Sequence, residues 1–137
     1  MLFWGARFWV AKRGGDICKK GCASDQTIHG DSVKQRPNKG KDVVISEWIA
    51  ASVAVHDIEE AMAPMRIITR TQMMQHEFNK QPALEEEPQQ WLQQKLCMRR
   101  GQILLRDPRV WHGGTRNFSE QDRFLPGLVW RMDYHEV

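Results

Sequence analysis

Short runs of β-branched and aromatic residues alternate with polar turns along most of the chain. Such runs favour β-strands, because branched and aromatic side chains pack well on a pleated surface. We therefore predict strands at residues 3–10, at about 26–30, at 42–56 (two strands or one long one), at 64–69, and in GQILLRD, RVWHGG and RFLPGLVWRM.

Residues 84–97, LEEEPQQWLQQKLC, have a different pattern. Acidic residues come first and favour the N-terminal end of a helix, and the apolar and long side chains that follow recur at helical spacing: Trp91, Leu92, Lys95 and Leu96. This predicts one short helix. Residues 71–80 are ambiguous, with a helical turn behind Thr71 as one reading. Many short strands with one helical interruption predict an all-β sandwich or barrel with a minor helix rather than βαβ units.

Composition is ordinary for a soluble globular domain. The 137 residues are 41% hydrophobic and 27% charged, which predicts a single domain over residues 1–137. The net charge of +3 is scattered, so a nucleic-acid partner is not expected. No apolar run is long enough to cross a bilayer and the N-terminus does not resemble a signal peptide, so a cytoplasmic protein without a membrane partner is the default. The three cysteines form an odd set and are expected to be reduced thiols.

The stretch DQTIHGDS places His29 and Asp31 two residues apart. Side chains at i and i+2 of a strand share one face, so both could bind one metal ion, although a lone pair of this kind is more typical of an exposed turn. His112 in RDPRVWHGGTRN supplies a third ligand, and two imidazoles with one carboxylate are typical of open Fe(II) sites. Arg123 follows His112 by eleven residues across a hairpin-like turn. In an antiparallel pair, both side chains could point into the same interior, where a guanidinium needs an anionic partner.

Four segments together resemble a known family: GGDICKKGCASDQTIHGDS, AMAPMRIITRTQ, PALEEEP and above all GQILLRDPRVWHGGTRNFSEQDRFLPGLVW. The family is that of phytanoyl-CoA dioxygenase, whose members are Fe(II)- and 2-oxoglutarate-dependent oxygenases. The resemblance implies a double-stranded β-helix, the cupin-like jelly-roll barrel. It also implies that the catalytic iron ligands are His29, Asp31 and His112, that Arg123 pairs with the C5 carboxylate of the cosubstrate 2-oxoglutarate, and that Asn117 has a supporting role.

The same resemblance implies the reaction. A dioxygenase of this kind hydroxylates an unactivated C–H bond of a small-molecule substrate and releases succinate and CO2, with ascorbate as a supportive reductant. The carboxylate of Asp31 argues against halogenation, because halogenating relatives have no carboxylate at that position. Gly114 stands where the family often has Ser. Relatives also carry a partly helical N-terminal region that this chain lacks, so we expect an N-terminally truncated domain.

Two other readings stay open at this point. One is a non-catalytic, truncated jelly roll that serves as a binding module. The other is a cupin-like metalloenzyme that does not use 2-oxoglutarate, and Arg123 is the residue that discriminates it from the oxygenase. The sequence leaves the substrate and the oligomeric state undetermined.

Overall fold

The structure, a computed structural model, describes residues 7–31, 48–73 and 93–133. Within these ranges the regular structure is almost entirely β. It consists of seven strands and a 3-10 helix at Thr71–Met73: β1 Arg7–Cys18, β2 Trp48–Val53, β3 Met65–Ile68, β4 Gln93–Leu96, β5 Ile103–Arg106, β6 Trp111–Gly114 and β7 Arg123–Asp133. No helix in the described ranges is long and apolar enough to span a membrane.

The strands form two antiparallel sheets. The larger sheet has the order β1-β7-β2-β5, and the smaller sheet has the order β4-β3-β6. The long β1–β7 pair continues to Cys18, which lies opposite Arg123 at the start of β7. The predicted all-β jelly roll with little helix is confirmed.

Apolar side chains from both sheets meet in the core. One buried cluster joins Leu125 of the larger sheet to Met65 of the smaller sheet, together with Ala54 and Ile58. A second cluster consists of Ile28, Ile68 and Trp111. Burial of the first cluster holds the two sheets together, whereas the second cluster joins the smaller sheet to the segment that carries Ile28. Because Ile28 and Trp111 are chain neighbours of His29 and His112, the second cluster also anchors the backbone on both sides of the candidate site.

The segment that contains DQTIHGDS runs along strand β6. Its backbone amides bond to that strand and to the turn before it: Gln26 N–H donates to Gly114 O at 2.8 Å, and Asp31 N–H donates to Pro108 O at 2.9 Å. Glycine at position 113 permits this close approach, since a Cβ there would lie 2.9 Å from the carbonyl oxygen of Gln26. The sequence predicts a strand at 26–30. The structure has only an isolated bridge there, between His29 and His112.

Two further expectations are wrong. Gln93–Leu96, part of the predicted helix, is strand β4 and pairs with β3; the rest of that prediction, residues 84–92, lies outside the described residues. Non-local pairing with a neighbouring strand overrides a helical spacing that extends over only a few residues. The second error concerns β6 and β7, which do not form a hairpin pair. Strand β6 belongs to the smaller sheet and β7 to the larger, so His112 and Arg123 come from different sheets.

The other predicted strands agree with the structure where it describes them. The single strand β2 occupies part of the region predicted as one or two strands at 42–56, and β3, β5, β6 and β7 fall within the predicted runs or extend them by one residue. Strand β1 extends well beyond the predicted 3–10, and residues 1–6 lie outside the described residues. The 3-10 helix at Thr71–Met73 agrees with the expected helical turn, whereas residues 74–80 lie outside the described part of the chain.

Candidate metal centre

Two neighbouring side chains, His29 and Asp31, meet the distant His112 of strand β6. One potential ligand atom from each of His29, Asp31 and His112 lies within 4.8 Å of the others. Oδ2 of Asp31 is 3.8 Å from Nε2 of His112, and the two imidazole centroids are 4.6 Å apart. Two ligand atoms of one first-row metal ion lie at most about 4 Å apart, twice a bond length of roughly 2.1 Å. The separations are therefore near those of a shared ion, and the donor set suits Fe(II).

Backbone hydrogen bonds fix the orientation of both imidazoles. Nδ1 of His29 lies 2.8 Å from the carbonyl oxygen of Thr27, and Nδ1 of His112 lies 2.8 Å from that of Val110. A carbonyl oxygen can only accept, so each Nδ1 is the donor, and in the neutral tautomer that this favours the lone pair is on Nε2. Metal-binding histidines are commonly oriented by this type of bond. The two rings thus present Nε2 as the potential ligand atom.

Burial favours the neutral form of His112. The side chain is 5% exposed, and desolvation lowers the pKa of His112 below its ordinary value, with the nearby Arg106 cation as the second cause. A neutral imidazole is the form that binds metal ions. His112 can therefore act as a ligand at neutral pH without first losing a proton.

Arg123 is buried with little inside the protein to compensate its charge. The side chain is 3% exposed, and among the described residues its Nε and Nη1 atoms have no hydrogen-bond partner. Its ion pair is weak, because Oδ2 of Asp16 lies 4.0 Å from Nη1. Nη2 lies close to strand β6, 3.4 Å from where a Cβ on Gly114 would stand. A buried guanidinium with free donors is a suitable partner for a carboxylate ligand.

Sequence reasoning missed Arg106, at the end of strand β5. Its Nη2 donates to Oδ2 of Asp31 at 2.8 Å, the oxygen that also lies nearest to His112. The burial of β5 alternates: Ile103 and Leu105 are exposed, and Leu104 and Arg106 face inward. A charged residue at an inward position of an otherwise apolar strand is the signal that could have identified Arg106.

The turn after β6 is held by the residues expected to support it. Asn117 is fully buried; its side-chain amide donates to the carbonyl oxygens of Cys18 and Gln121, and its oxygen accepts from Ser119. These bonds tie the start of β7, and hence Arg123, to the end of β1. On the other side of β6, the buried guanidinium of Arg109 binds the carboxylate of Asp107 at 2.6 to 3.0 Å, which is a structural ion pair.

Among the described residues, His56 is not part of this cluster. Nε2 of His56 accepts a hydrogen bond from the backbone N–H of Phe124, a structural role. His76 and His135 lie outside the described residues. The three cysteines, expected to be reduced, are free thiols.

Several solved structures share this fold. AviO1 from Streptomyces viridochromogenes Tue57 superposes with a TM-score of 0.71 at 11% identity, over 90% of this chain and 51% of that one. HygX from Streptomyces hygroscopicus, solved with nickel and 2-oxoglutarate bound, gives a TM-score of 0.63 at 18% identity. The match covers 90% of this chain and 56% of HygX. SnoN, the non-heme alpha ketoglutarate dependent epimerase from nogalamycin biosynthesis, gives 0.65 at 12% identity, over 94% and 50%. The chain spans about half the length of these structures.

No curated protein sequence matches the chain. A family model does, and it is that of phytanoyl-CoA dioxygenase (PhyH), which matches residues 17–125. The matched region includes the three residues of the cluster and Arg123. With most of its length matched by this model, the chain belongs to the phytanoyl-CoA dioxygenase family.

Proposed function

We propose that the chain is an Fe(II)- and 2-oxoglutarate-dependent dioxygenase that hydroxylates an unactivated C–H bond of a small-molecule substrate. The observation that carries this proposal is the pairing of two features in one interior. One is the cluster of His29, Asp31 and His112, and the other is the buried guanidinium of Arg123, whose Nε and Nη1 lack partners among the described residues. The first suits an open iron site, and the second suits the distal carboxylate of a dicarboxylic cosubstrate.

Each residue has a separate task in this reaction. The Nε2 atoms of His29 and His112 and a carboxylate oxygen of Asp31 would hold the iron on one side, which leaves its other side open for reactants. Arg123 would bind the C5 carboxylate of 2-oxoglutarate and fix its orientation toward the iron. The bound iron would supply the activation of O2, with overall conversion of 2-oxoglutarate, O2 and substrate C–H into succinate, CO2 and the hydroxylated product.

Two observations support the cosubstrate and the outcome. HygX, which shares the fold, has been solved with iron and with nickel and 2-oxoglutarate. The carboxylate of Asp31 would occupy the ligand position that a halogenating site leaves free for halide, and this supports hydroxylation as the proposed outcome. The role of ascorbate as a supportive reductant, a small-molecule partner and a cytoplasmic location stay predictions.

Anaerobic titration of the protein with Fe(II) and then with 2-oxoglutarate tests the proposal. Chelation of Fe(II) by the 2-oxo acid produces a visible charge-transfer band, which we expect for the wild type and not for His112→Ala. A wild type that binds iron at this site without any such band would favour the cupin-like metalloenzyme. A wild type that binds no iron would favour the non-catalytic binding module.

A further inference from the structure

Arg106 contacts the candidate metal centre through Asp31. Its side chain is 14% exposed, and its Nη2 donates to Oδ2 of Asp31 at 2.8 Å. Its Nε and Nη1 are buried and have no partner among the described residues. Asp31 is the only hydrogen-bond partner of this guanidinium within the described ranges.

The burial of Arg106 lowers the stability of the fold and so needs another explanation. Burial of a guanidinium with two donors unsatisfied costs stability, and an apolar side chain of similar volume would be tolerated better at such a position. Leu104, at the preceding inward position of the same strand, packs against the apolar core in that way. A buried charged residue with unsatisfied hydrogen-bond donors is commonly part of a functional site.

Two consequences follow for the metal centre. First, the contact fixes Oδ2 of Asp31 beside Nε2 of His112, at 3.8 Å, although the Asp31 side chain is 40% exposed and would otherwise be free to rotate. Second, it places a positive charge beside the cluster. Arg106 compensates the negative charge of Asp31, so a divalent metal ion held there would attract an incoming dianion more strongly.

We propose that Arg106 is a positioning residue that sets the affinity of the metal centre for small dianionic chelators, by orienting Asp31 and by adding positive charge next to it. This inference rests on the proposed metal site. Removal of Arg106 should weaken chelator binding in two ways. Loss of its positive charge would reduce the attraction to a dianion. The Asp31 carboxylate, no longer held by Arg106, would compete with the chelator for the metal ion. Arg123 acts at the far end of 2-oxoglutarate, so the two arginines should differ in the ligands they affect.

The test uses the Co(II)-loaded full chain, with oxalate as a dianionic chelator that has no distal carboxylate. Binding is followed through the visible Co(II) spectrum. We expect Arg106→Met to weaken oxalate binding by about tenfold or more, the range typical of groups that support a metal ligand. Arg106→Lys keeps the charge and should recover part of the affinity. Arg123→Ala should weaken binding of 2-oxoglutarate more than binding of oxalate, because oxalate has no distal carboxylate for Arg123 to bind.

Arg66→Met is the matched control. The Arg66 side chain is 12% exposed, pairs with Asp25 at 3.5 Å and donates to the carbonyl oxygen of Gln26 at 3.0 Å, so it supports the segment that carries His29 and Asp31 without contacting the cluster. It lies opposite Gly113 in the β3–β6 pairing, whereas His112 lies opposite Ile67, so Arg66 is on the other face of the smaller sheet. The same loss of one partly buried positive charge should change oxalate affinity by no more than about threefold, which is the expected result for a general effect on charge or stability.

Wild-type oxalate affinity in Co(II)-loaded Arg106→Met would overturn the inference, as would an equal loss in Arg66→Met. If Arg106→Met does not fold, Arg106→Gln replaces it. Wild-type oxalate affinity in Arg106→Gln, or an equal loss in Arg66→Met, would then overturn the inference. A wild type that fails to bind Co(II) would overturn both the metal site and this inference. A wild type that binds Co(II) and oxalate, with Arg106 variants unaffected, would overturn the inference alone.

Discussion

Replacement of Arg123 by alanine should weaken 2-oxoglutarate binding strongly. The Arg123 side chain is 3% exposed, and the carboxylate of Asp16 is too distant, at 4.0 Å, to satisfy it. A carboxylate bound in this interior is desolvated, so without the guanidinium it is left buried and unpaired. Loss of one member of such a pair costs about 2–5 kcal/mol, which corresponds to roughly 30-fold or more in affinity. Arg123→Lys should recover only part, because an ammonium cannot form the two-pronged contact.

The assay is an anaerobic titration of the Fe(II) protein with 2-oxoglutarate, followed by the charge-transfer band. Iron binding should survive in Arg123→Ala, because Arg123 is not in the metal cluster. Arg116→Ala is the matched control: Arg116 is a nearby arginine whose half-exposed side chain pairs with Asp25 at 3.1 Å, and its loss should have little effect. An unchanged titration in Arg123→Ala would refute the reasoning and shift the cosubstrate anchor to Arg116 or Arg131.

Three further predictions concern the metal, the fold and pH. His29→Ala and His112→Ala should each abolish stoichiometric Fe(II) binding after anaerobic reconstitution, since two ligands rarely hold an ion in an open site; wild-type iron content in both would contradict this. Asn117→Ala should lower the free energy of unfolding in urea by about 1–3 kcal/mol, because buried partners are left unsatisfied, and Ser119→Ala should lower it less. Burial lowers the pKa of His112, so the unfolded chain binds this proton more readily than the folded protein does. The melting temperature of the metal-free protein should therefore fall as the pH drops below about 6.5, and it should fall less in His112→Gln. An equal dependence of the melting temperature on pH in the wild type and in His112→Gln would contradict this.

The grouping of His29, Asp31 and His112 could be predicted from the sequence, for a local reason. His29 and Asp31 are two residues apart in an extended segment, and RVWHGG is a short strand whose glycines admit that segment. Arg123 was found by its spacing from His112, yet the reason given was wrong. The two residues lie in different sheets rather than across a hairpin, because β7 pairs with β1 and β2 instead of β6.

What could not be predicted depends on pairing between distant segments. Arg106 reaches the site because β5 pairs with β2 in a register that sets Ala50 opposite Arg106, and no local pattern encodes that register. Gln93–Leu96 is a strand because its backbone groups bond to β3, although its side chains suit a helix. In both cases a long-range backbone contact outweighs the local preference.

Release of succinate tests the central claim most directly. The full chain is incubated in air with Fe(II), ascorbate and 2-oxoglutarate, and succinate is quantified, because uncoupled turnover consumes the cosubstrate without any added substrate. The account predicts succinate from the wild type above the level of buffer with iron alone, and none above that level from His112→Ala. Equal succinate in wild type, His112→Ala and buffer would contradict it.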